Sequence, residues 1–400
     1  MLPFLQFILA LVIIIAAAKV GGYLSFRLGQ PAVAGEVLAG LILGPSLLNF
    51  MHLPMFTDEH LGESITHLAE LGVLLLMFIA GLELHLTDLA KSGKVAVLAG
   101  FLGFVLTLCL GYLLAVVFDY ETQQALFLGL MLAPTSIGIS AQTLIELKVL
   151  RTKVGTTLLG AATIDDVLGV LGVSLFLALY LGGATSGAID IFPIFLKMSL
   201  YLLIASAFGF WILPKLTQFV EKLPISQGLI TFTFITVLFY AWSAEALGQM
   251  ATVIGAFLAG LFLARSPLKD KIRSGFSFIG YGVFVPIFFA NVGLSANLRQ
   301  LSLDGLLLLA GMTVVVVVSK LLGAGIGGRI GGMTGQESLL LGFGMIPRGE
   351  VVLIVATIGI TEGLIGVDIF STAVVLVVLT TLLTPPILRG LFSNLNQSKY

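Results

Sequence analysis

The chain has 400 residues, of which 58% are hydrophobic and 10% are charged, and its mean hydropathy is +1.12. Soluble globular domains carry about 25% charged residues, so this composition excludes them and predicts a polytopic membrane protein. The formal net charge of −1 indicates no particular partner, and the single cysteine excludes a disulfide framework and a cysteine metal site.

Thirteen apolar segments are candidates for membrane-spanning helices, since about 20 apolar residues cross the hydrocarbon core. The first is too long, and too poor in basic flanking residues, to be a cleaved signal peptide, so we expect it to be retained. No linker-like stretch or charged run divides the chain, which predicts one membrane domain without a soluble regulatory domain. In chain order the predicted helices are 3–26, 31–47, 64–86, 95–118, 122–147, 154–182, 191–213, 226–246, 250–264, 277–295, 303–328, 336–361 and 369–392.

Basic residues are distributed unequally between the two sides that these helices define. The loops on the side of the C-terminus carry fifteen of the twenty Lys and Arg residues, whereas the opposite loops carry only Arg299. Cytoplasmic loops are enriched in Lys and Arg. The predicted orientation therefore has the N-terminus outside and the C-terminus in the cytoplasm.

A weak internal repeat relates two parts of the chain. The segment Gln123–Gly129 with Pro134 aligns with Gln336–Gly342 with Pro347, 213 residues later. The predicted topology gives the two copies opposite orientations, which is the arrangement of an inverted repeat. A proline inside a helix removes a backbone hydrogen bond, and polar residues follow both prolines, so we expect a broken helix at each. A simple kink repaired by neighbouring helices is the alternative for either proline alone.

Asp165 and Asp166 follow one another in an apolar run that is long enough to cross a bilayer. Ionisable side chains at membrane depth are costly and mark ion pathways, proton relays or buried ion pairs. Adjacent residues point about 100° apart on a helix, so we expect each aspartate to have its own role. Buried neighbouring carboxylates are suited to exchanging protons. The alternative is a pair that is satisfied by helix N-termini or by a salt bridge and has no transport role.

Three further charged residues interrupt apolar segments. Lys320 lies well inside a predicted helix, so an acidic partner is expected, and one aspartate of the pair is the best candidate. The alternative is a lysine whose amine extends to the cytoplasmic interface. Arg348 and Glu350 follow Pro347 directly, where they can pair with each other or stabilise the exposed ends of the broken helix.

Other polar residues in apolar segments receive no firm role. Glu36, Glu70 and Glu245 are candidates for lining a cavity, Glu83 lies near a cytoplasmic helix end where it can reach water, and Asn291 is expected to make an interhelical hydrogen bond.

Two other motifs are rejected as functional sites. The segment Gly323–Gly328 fits G-x-G-x-x-G, but it lies in a membrane-length run without a βαβ pattern, so close packing of helices through small residues is expected. An intramembrane aspartyl protease needs carboxylates brought together from two helices, which two adjacent acids on one helix do not supply. No enzymatic activity is therefore expected.

At these residues the sequence resembles the monovalent cation:proton antiporters of the cation:proton antiporter-2 family, and most closely bacterial sodium/proton antiporters of the NapA type. The resemblance covers essentially the whole chain and is most specific at the Asp-Asp pair with its downstream lysine. The matching motifs are Leu76–Leu84, Ala133–Ser136, Thr163–Gly169, Pro286–Gly293, Lys320 and Met345–Glu350.

The resemblance implies a role for each candidate residue. Asp166 is implied to bind the cation (Na⁺) and the proton, and Asp165 to form a salt bridge with Lys320 that breaks and reforms during the cycle. Thr135 and Ser136 lie at the first crossover and join the ion-binding set. The other candidate residues, which the breaks themselves predict to support this crossover, are Pro134, Pro347, Arg348 and Glu350.

The resemblance also implies an architecture. It is an all-α inverted-repeat antiporter fold of about thirteen transmembrane helices with two crossed broken helices. A core domain over roughly 64–182 and 277–361 moves like an elevator against a dimerisation domain over roughly 3–47, 191–264 and 369–392. We expect a homodimer in the lipid of the cell (inner) membrane, with no cofactor and no nucleic-acid partner.

The implied function is export of Na⁺ or Li⁺ in exchange for protons, contributing to sodium tolerance and pH homeostasis. Family members with Asn-Asp at the site are associated with electroneutral exchange, so the Asp-Asp pair favours electrogenic exchange of two protons for one sodium ion. The alternatives are a K⁺/H⁺ antiporter, a sodium-coupled organic-anion symporter and a passive channel.

Overall fold

The computed structural model describes residues 2–83, 86–136, 140, 144, 149, 152–180, 188–248, 250, 252–300 and 302–397. All regular structure in these residues is helical, which confirms the predicted all-α class. The α-helices are α1 (Pro3–Arg27), α2 (Ala32–Leu43), α3 (Leu61–Glu83), α4 (Leu86–Val117), α5 (Thr122–Leu132), α6 (Lys153–Tyr180), α7 (Ala188–Trp211), α8 (Leu213–Glu221), α9 (Gly228–Ala246), α10 (Thr252–Leu263), α11 (Lys269–Ile279), α12 (Val285–Ser295), α13 (Leu303–Ile330), α14 (Gly335–Gly344), α15 (Glu350–Thr361) and α16 (Val367–Gln397).

The described helices fall into long and short classes. Nine spans in the described part of the chain are long and apolar enough to cross a bilayer. Four further apolar helices are too short to cross alone, because twelve residues of helix reach only about 18 Å. These short helices are Ala32–Leu43, Thr122–Leu132, Thr252–Leu263 and Val351–Thr361. The polytopic membrane fold is thus confirmed, and the number of thirteen spanning helices stays a prediction.

The internal repeat reappears in the positions of helix ends. α14 begins at Gly335, 213 residues after α5 begins at Thr122. Each helix stops just before its proline, and the residues around Pro134 and Pro347 are not helical. α15 forms the second half of the second broken helix. The corresponding part of the first, within the predicted segment 122–147, lies mostly outside the described residues.

The chain folds into two compact units, and the first comprises Met1–Glu59, Leu86–Val170 and Phe289–Tyr400. In this unit α4 and α13 pack closely. A Cβ added to Gly323 would lie 2.6 Å from the carbonyl oxygen of Leu102, and one added to Gly327 would lie 2.6 Å from that of Leu98. The G-x-G-x-x-G motif is therefore a helix-packing surface, as the sequence predicts.

The outer helix α1 of the same unit packs through one stripe. Its buried residues recur about every four positions, and most are small or polar. Small residues let helix backbones approach each other in a membrane, and a Cβ on Gly21 would lie 2.3 Å from the carbonyl oxygen of Gly35 in α2. The remaining faces of α1 present large apolar side chains such as Phe4, Val12 and Val20 to the surroundings, as expected for contact with lipid.

The second unit comprises His60–His85 and Leu171–Phe288. In it α3 and α10 approach closely, because a Cβ on Gly81 or Gly260 would lie 2.1 Å from a backbone oxygen of the other helix. A π-helical turn, Gly280–Phe284, connects α11 to α12. Pro286 follows this turn and lacks the N–H that a regular helix would use there, which explains the local widening.

Candidate ion-binding site

The first unit brings most of the predicted site residues together. α6 supplies Asp165 and Asp166, α13 supplies Lys320, and the two non-helical breaks supply Thr135 and Arg348. These residues are separated by up to 213 positions in sequence. α13 and the two breaks therefore meet at the pair of carboxylates that α6 carries.

Lys320 and Asp165 form a buried ion pair. Nζ of Lys320 lies 2.7 Å from Oδ2 and 2.9 Å from Oδ1 of Asp165. Both side chains are 0% exposed. The amine of Lys320 does not reach the interface, so the alternative of an extended interfacial lysine does not describe the structure. In a buried pair with this geometry each group compensates the other at a position where either charge alone would be strongly disfavoured.

Asp166 differs from its neighbour in surroundings. It is only partly buried, whereas Asp165 is fully buried, as the 100° between adjacent helical residues leads one to expect. Lys320 and Arg348 interact electrostatically with Asp166 as well as with Asp165. The more accessible carboxylate thus lies in the field of two buried cations.

The two breaks contact each other through backbone and side-chain hydrogen bonds. The N–H of Ser136 donates to the carbonyl of Pro347 at 2.9 Å, and the hydroxyl of Ser140 donates to that of Gly344 at 2.7 Å. These bonds use backbone groups that the breaks release from regular helix. Thr135 and Ser136 of the first break are buried at this contact.

Arg348 is the largest fully buried side chain of the site. Its Nη1 donates to the hydroxyl of Thr135 at 3.0 Å and to the carbonyl of Met345 at 3.2 Å. Glu350 begins α15, and its side chain lies outside what the structure describes, so the predicted pairing of Arg348 with Glu350 stays a prediction.

Sequence reasoning missed two residues of α16 at this break. The backbone N–H of Arg348 donates to Thr380 Oγ1 at 3.1 Å, and Thr381 Oγ1 donates to the carbonyl of Arg348 at 2.9 Å. A usable signal existed, because adding the repeat offset of 213 to Asp165 leads to position 378, two residues before Thr380.

Close packing also fixes the first break against α6. A Cβ added to Gly169 would lie 2.5 Å from Cγ of Pro134. Gly169 follows Asp165 by one helical turn, so the absence of its side chain lets the proline approach the carboxylate-bearing face.

The other polar residues lie elsewhere. Glu36 is buried and pairs with Lys19 at 3.5 Å, and Glu83 pairs with Arg273 at 2.8 Å. Asn291 is half-buried. Glu70 and Glu245 are exposed, Glu70 beside His67 on α3 and Glu245 at the end of α9, and their interpretation as cavity residues stays a prediction. Among the described residues no three His, Cys, Asp or Glu side chains form a group that could hold a resident metal.

A buried ion pair beside a second acid, at the contact of two helix breaks that the internal repeat relates, is the arrangement of an ion-coupled secondary transporter. The chain matches the family of transmembrane sodium/hydrogen exchangers over residues 10–392. It belongs to that family, which confirms the resemblance seen in its motifs. The family is one of transporters.

Two relatives illustrate the similarity over nearly the full length. The chain is 34% identical over 387 residues to the Na⁺/H⁺-K⁺ antiporter GerN of Bacillus cereus, covering 97% of this chain and 96% of the relative. It is 34% identical over 385 residues to a Na⁺/H⁺ antiporter of Enterococcus hirae, covering 96% and 98%.

The fold also resembles a solved structure. The sodium proton antiporter MjNhaP1 of Methanocaldococcus jannaschii matches with a TM-score of 0.70 over 98% of both chains, at 17% sequence identity. The likeness establishes the shared antiporter fold.

Proposed function

We propose that the protein is a Na⁺/H⁺ antiporter that exports Na⁺ or Li⁺ and imports protons. The observation that carries the proposal is the partly buried Asp166 beside the closed Asp165–Lys320 pair. The names of the relatives from Bacillus cereus and Enterococcus hirae support sodium and proton as substrates.

Asp166 is the proposed carboxylate that alternately binds Na⁺ and a proton. Na⁺ and a proton each neutralise the charge of the Asp166 carboxylate, so this site holds either Na⁺ or a proton. Hard cations prefer oxygen ligands, and the breaks provide backbone oxygens near the aspartates in addition to the carboxylates. Exchange of Na⁺ for protons follows because the site changes its exposure from one side of the membrane to the other only when Na⁺ or a proton is bound.

Electrogenic exchange requires a second proton-carrying group. Asp165 and Lys320 are proposed to supply it: when Na⁺ binds, the ion pair opens and the Lys320 amine releases a proton, and when Na⁺ leaves, the amine takes up a proton and the pair closes again. The stoichiometry would then be two protons for one Na⁺. The complete burial of this pair supports the role, because its opening and closing would be coupled to any rearrangement of the surrounding helices.

Alternating access is proposed to result from an elevator-like movement of a core domain, roughly 64–182 and 277–361, against a dimerisation domain in a homodimer. The division into a core domain and a dimerisation domain is proposed from the resemblance, and the two compact units reflect contacts within a single chain. We further propose a location in the cell (inner) membrane with the N-terminus outside and the C-terminus in the cytoplasm.

The central assignment is tested in proteoliposomes that contain a pH-sensitive dye and carry an imposed pH gradient. Addition of Na⁺ should dissipate the gradient with the wild-type protein and should have no effect with Asp166→Asn. Asp304→Asn, which neutralises an exposed carboxylate at the start of α13, is the matched control and should behave as wild type. Full activity of Asp166→Asn would exclude Asp166 as the shared site.

Exchange of K⁺ for protons is the second candidate, because the relative from Bacillus cereus is named for both Na⁺ and K⁺. The same liposomes distinguish the two by substituting KCl for NaCl as the trigger. A response to K⁺ that equals the response to Na⁺ would make the protein a transporter of both ions.

A further inference from the structure

The hydroxyl of Thr135 lies between two buried charged groups. It is 2.6 Å from Oδ2 of Asp165 and 3.0 Å from Nη1 of Arg348. The carbonyl oxygen of Met345 lies 3.1 Å away. Thr135 itself is 0% exposed, so these neighbours define its surroundings.

The roles of donor and acceptor follow from chemistry. A guanidinium can only donate and a carboxylate can only accept, so Arg348 donates to the Thr135 oxygen and the single Thr135 proton serves an acceptor. The contact to Asp165 is the shorter of its two acceptor contacts and is the charge-assisted one. The carbonyl of Met345 also accepts from Arg348 Nη1 at 3.2 Å. The resulting chain of hydrogen bonds runs from Arg348 through Thr135 to Asp165.

Among the described residues, few groups other than the two aspartates compensate the charge of Arg348. None of the ion pairs among the described side chains involves Arg348. Its Nε and Nη2 are buried and donate no hydrogen bond within the part of the chain that the structure describes. Its main electrostatic attraction is to Asp165, followed by Asp166. A fully buried cation requires such compensation.

We infer that Thr135 is a positioning residue that links Arg348 to Asp165. Asp165 is then held by two cations, by Lys320 directly and by Arg348 through the Thr135 hydroxyl. This arrangement fixes the Asp165 carboxylate at the ion pair and leaves Asp166 as the carboxylate that takes the transported cation. The inference rests on the proposed function and assigns Thr135 a task other than direct coordination of the cation.

The hydroxyl can be removed with little change in volume. Thr135→Val deletes both hydrogen bonds, whereas Thr135→Ser keeps the hydroxyl and serves as the rescue. Hydrogen bonds to charged groups are among the stronger ones, so we expect the half-saturating Na⁺ concentration to shift by about tenfold or more in Thr135→Val and to stay within about twofold in Thr135→Ser. The maximal rate should change less than the half-saturating concentration. Thr236→Val is the matched control, since its buried hydroxyl donates to Phe232 of its own helix.

A double-mutant cycle separates the link from direct coordination. Arg348→Lys keeps the charge and loses the planar fork that reaches Thr135. If the link exists, the shift in half-saturating Na⁺ for Thr135→Val combined with Arg348→Lys should be no larger than that of the more affected single variant. If Thr135 binds the cation independently of Arg348, the two fold-changes should multiply, and the inference is overturned.

Wild type and Asp166→Asn accompany every measurement, because they report on the proposed function separately. An active wild type, an inactive Asp166→Asn and a Thr135→Val with unchanged half-saturating Na⁺ would overturn the link and leave the antiporter function intact. A wild type that exchanges no cation would overturn both. Where Thr135→Val does not yield a monodisperse protein, Thr135→Ala, with a smaller side chain, replaces it with the same expected shift.

Discussion

Thr135 and Arg348 occupy equivalent positions of the two repeats, 213 residues apart, and their side chains are hydrogen-bonded to each other at 3.0 Å. The contact therefore lies where the two halves of the repeat meet. Each break is also bound by a helix later in the chain: Asp165 of α6 accepts from Thr135, and Thr380 and Thr381 of α16 bind the backbone of Arg348. The helix that binds the break thus uses a carboxylate in one half and hydroxyls in the other.

The first prediction concerns the hydroxyls of α16. Thr380→Val and Thr381→Val each leave a buried backbone group of Arg348 without its partner, which costs about 1–3 kcal/mol. We expect both variants to lower the midpoint of thermal unfolding of the purified protein. Thr384→Val is the control, since its hydroxyl donates only within α16. Equal midpoints for Thr380→Val and Thr384→Val would contradict a supporting role at the break.

Site residues could be predicted from the sequence where charged residues or prolines interrupt an apolar segment. The aspartate pair and both prolines could be identified because charged residues and proline are disfavoured inside membrane helices. The partner of Lys320 could only be narrowed to the pair, because which of two residues 100° apart faces a helix 155 positions away depends on helix rotation.

Other features gave weaker signals. Thr380 and Thr381 resemble ordinary threonines of membrane helices, which usually bond to their own backbone. Hydropathy also does not register helix ends, so segment 31–47 was predicted as a spanning helix, whereas α2 covers only Ala32–Leu43. Similarly, the exposure of Glu70 depends on which face of α3 packs, and no local pattern around it indicated the outer one.

The second prediction uses the buried ion pair. Replacing one partner of such a pair leaves the other charge uncompensated, at a cost of about 3–5 kcal/mol. We expect Asp165→Asn and Lys320→Met each to lower the thermal unfolding midpoint strongly and the double variant to be more stable than either single one. The half-exposed pair of Arg273 and Glu83 is the comparison, because exposed pairs contribute only about 0–1 kcal/mol. Additive losses at Asp165 and Lys320 would show that the pair is not energetically coupled.

The third prediction concerns the packing of α4 and α13. A methyl group on Gly323 would approach the carbonyl oxygen of Leu102 to 2.6 Å and Cα of Gly103 to 2.8 Å, so the helices must separate. Gly323→Ala should destabilise the protein by about 1–3 kcal/mol. Gly62→Ala in α3 is the control, since nothing lies within 4 Å of the added atom, and it should be neutral or stabilising by up to about 1 kcal/mol. A neutral Gly323→Ala would refute the close approach.

The fourth prediction is the direction of the pH dependence. If Na⁺ and a proton compete for Asp166, a fall in pH must raise the half-saturating Na⁺ concentration. The rise should reach at least about tenfold for each pH unit where the protonated site dominates, at a constant maximal rate. Rates measured in proteoliposomes over a series of Na⁺ concentrations at several symmetrical pH values check this. A maximal rate that falls with pH at constant half-saturating Na⁺ would instead indicate protonation at a separate site.

The fifth prediction concerns the charge moved in each cycle. With Lys320 as part of the second proton-carrying group, exchange by the wild-type protein should be driven by a membrane potential imposed across liposomes at equal pH and equal Na⁺ on both sides. Lys320→Gln removes the titratable amine and retains a polar side chain that can donate to Asp165. We expect this variant to catalyse exchange that no longer responds to the potential. Lys153→Gln, which removes a half-exposed lysine near the start of α6, should keep the response. A response that persists unchanged in Lys320→Gln would show that the second proton is carried elsewhere.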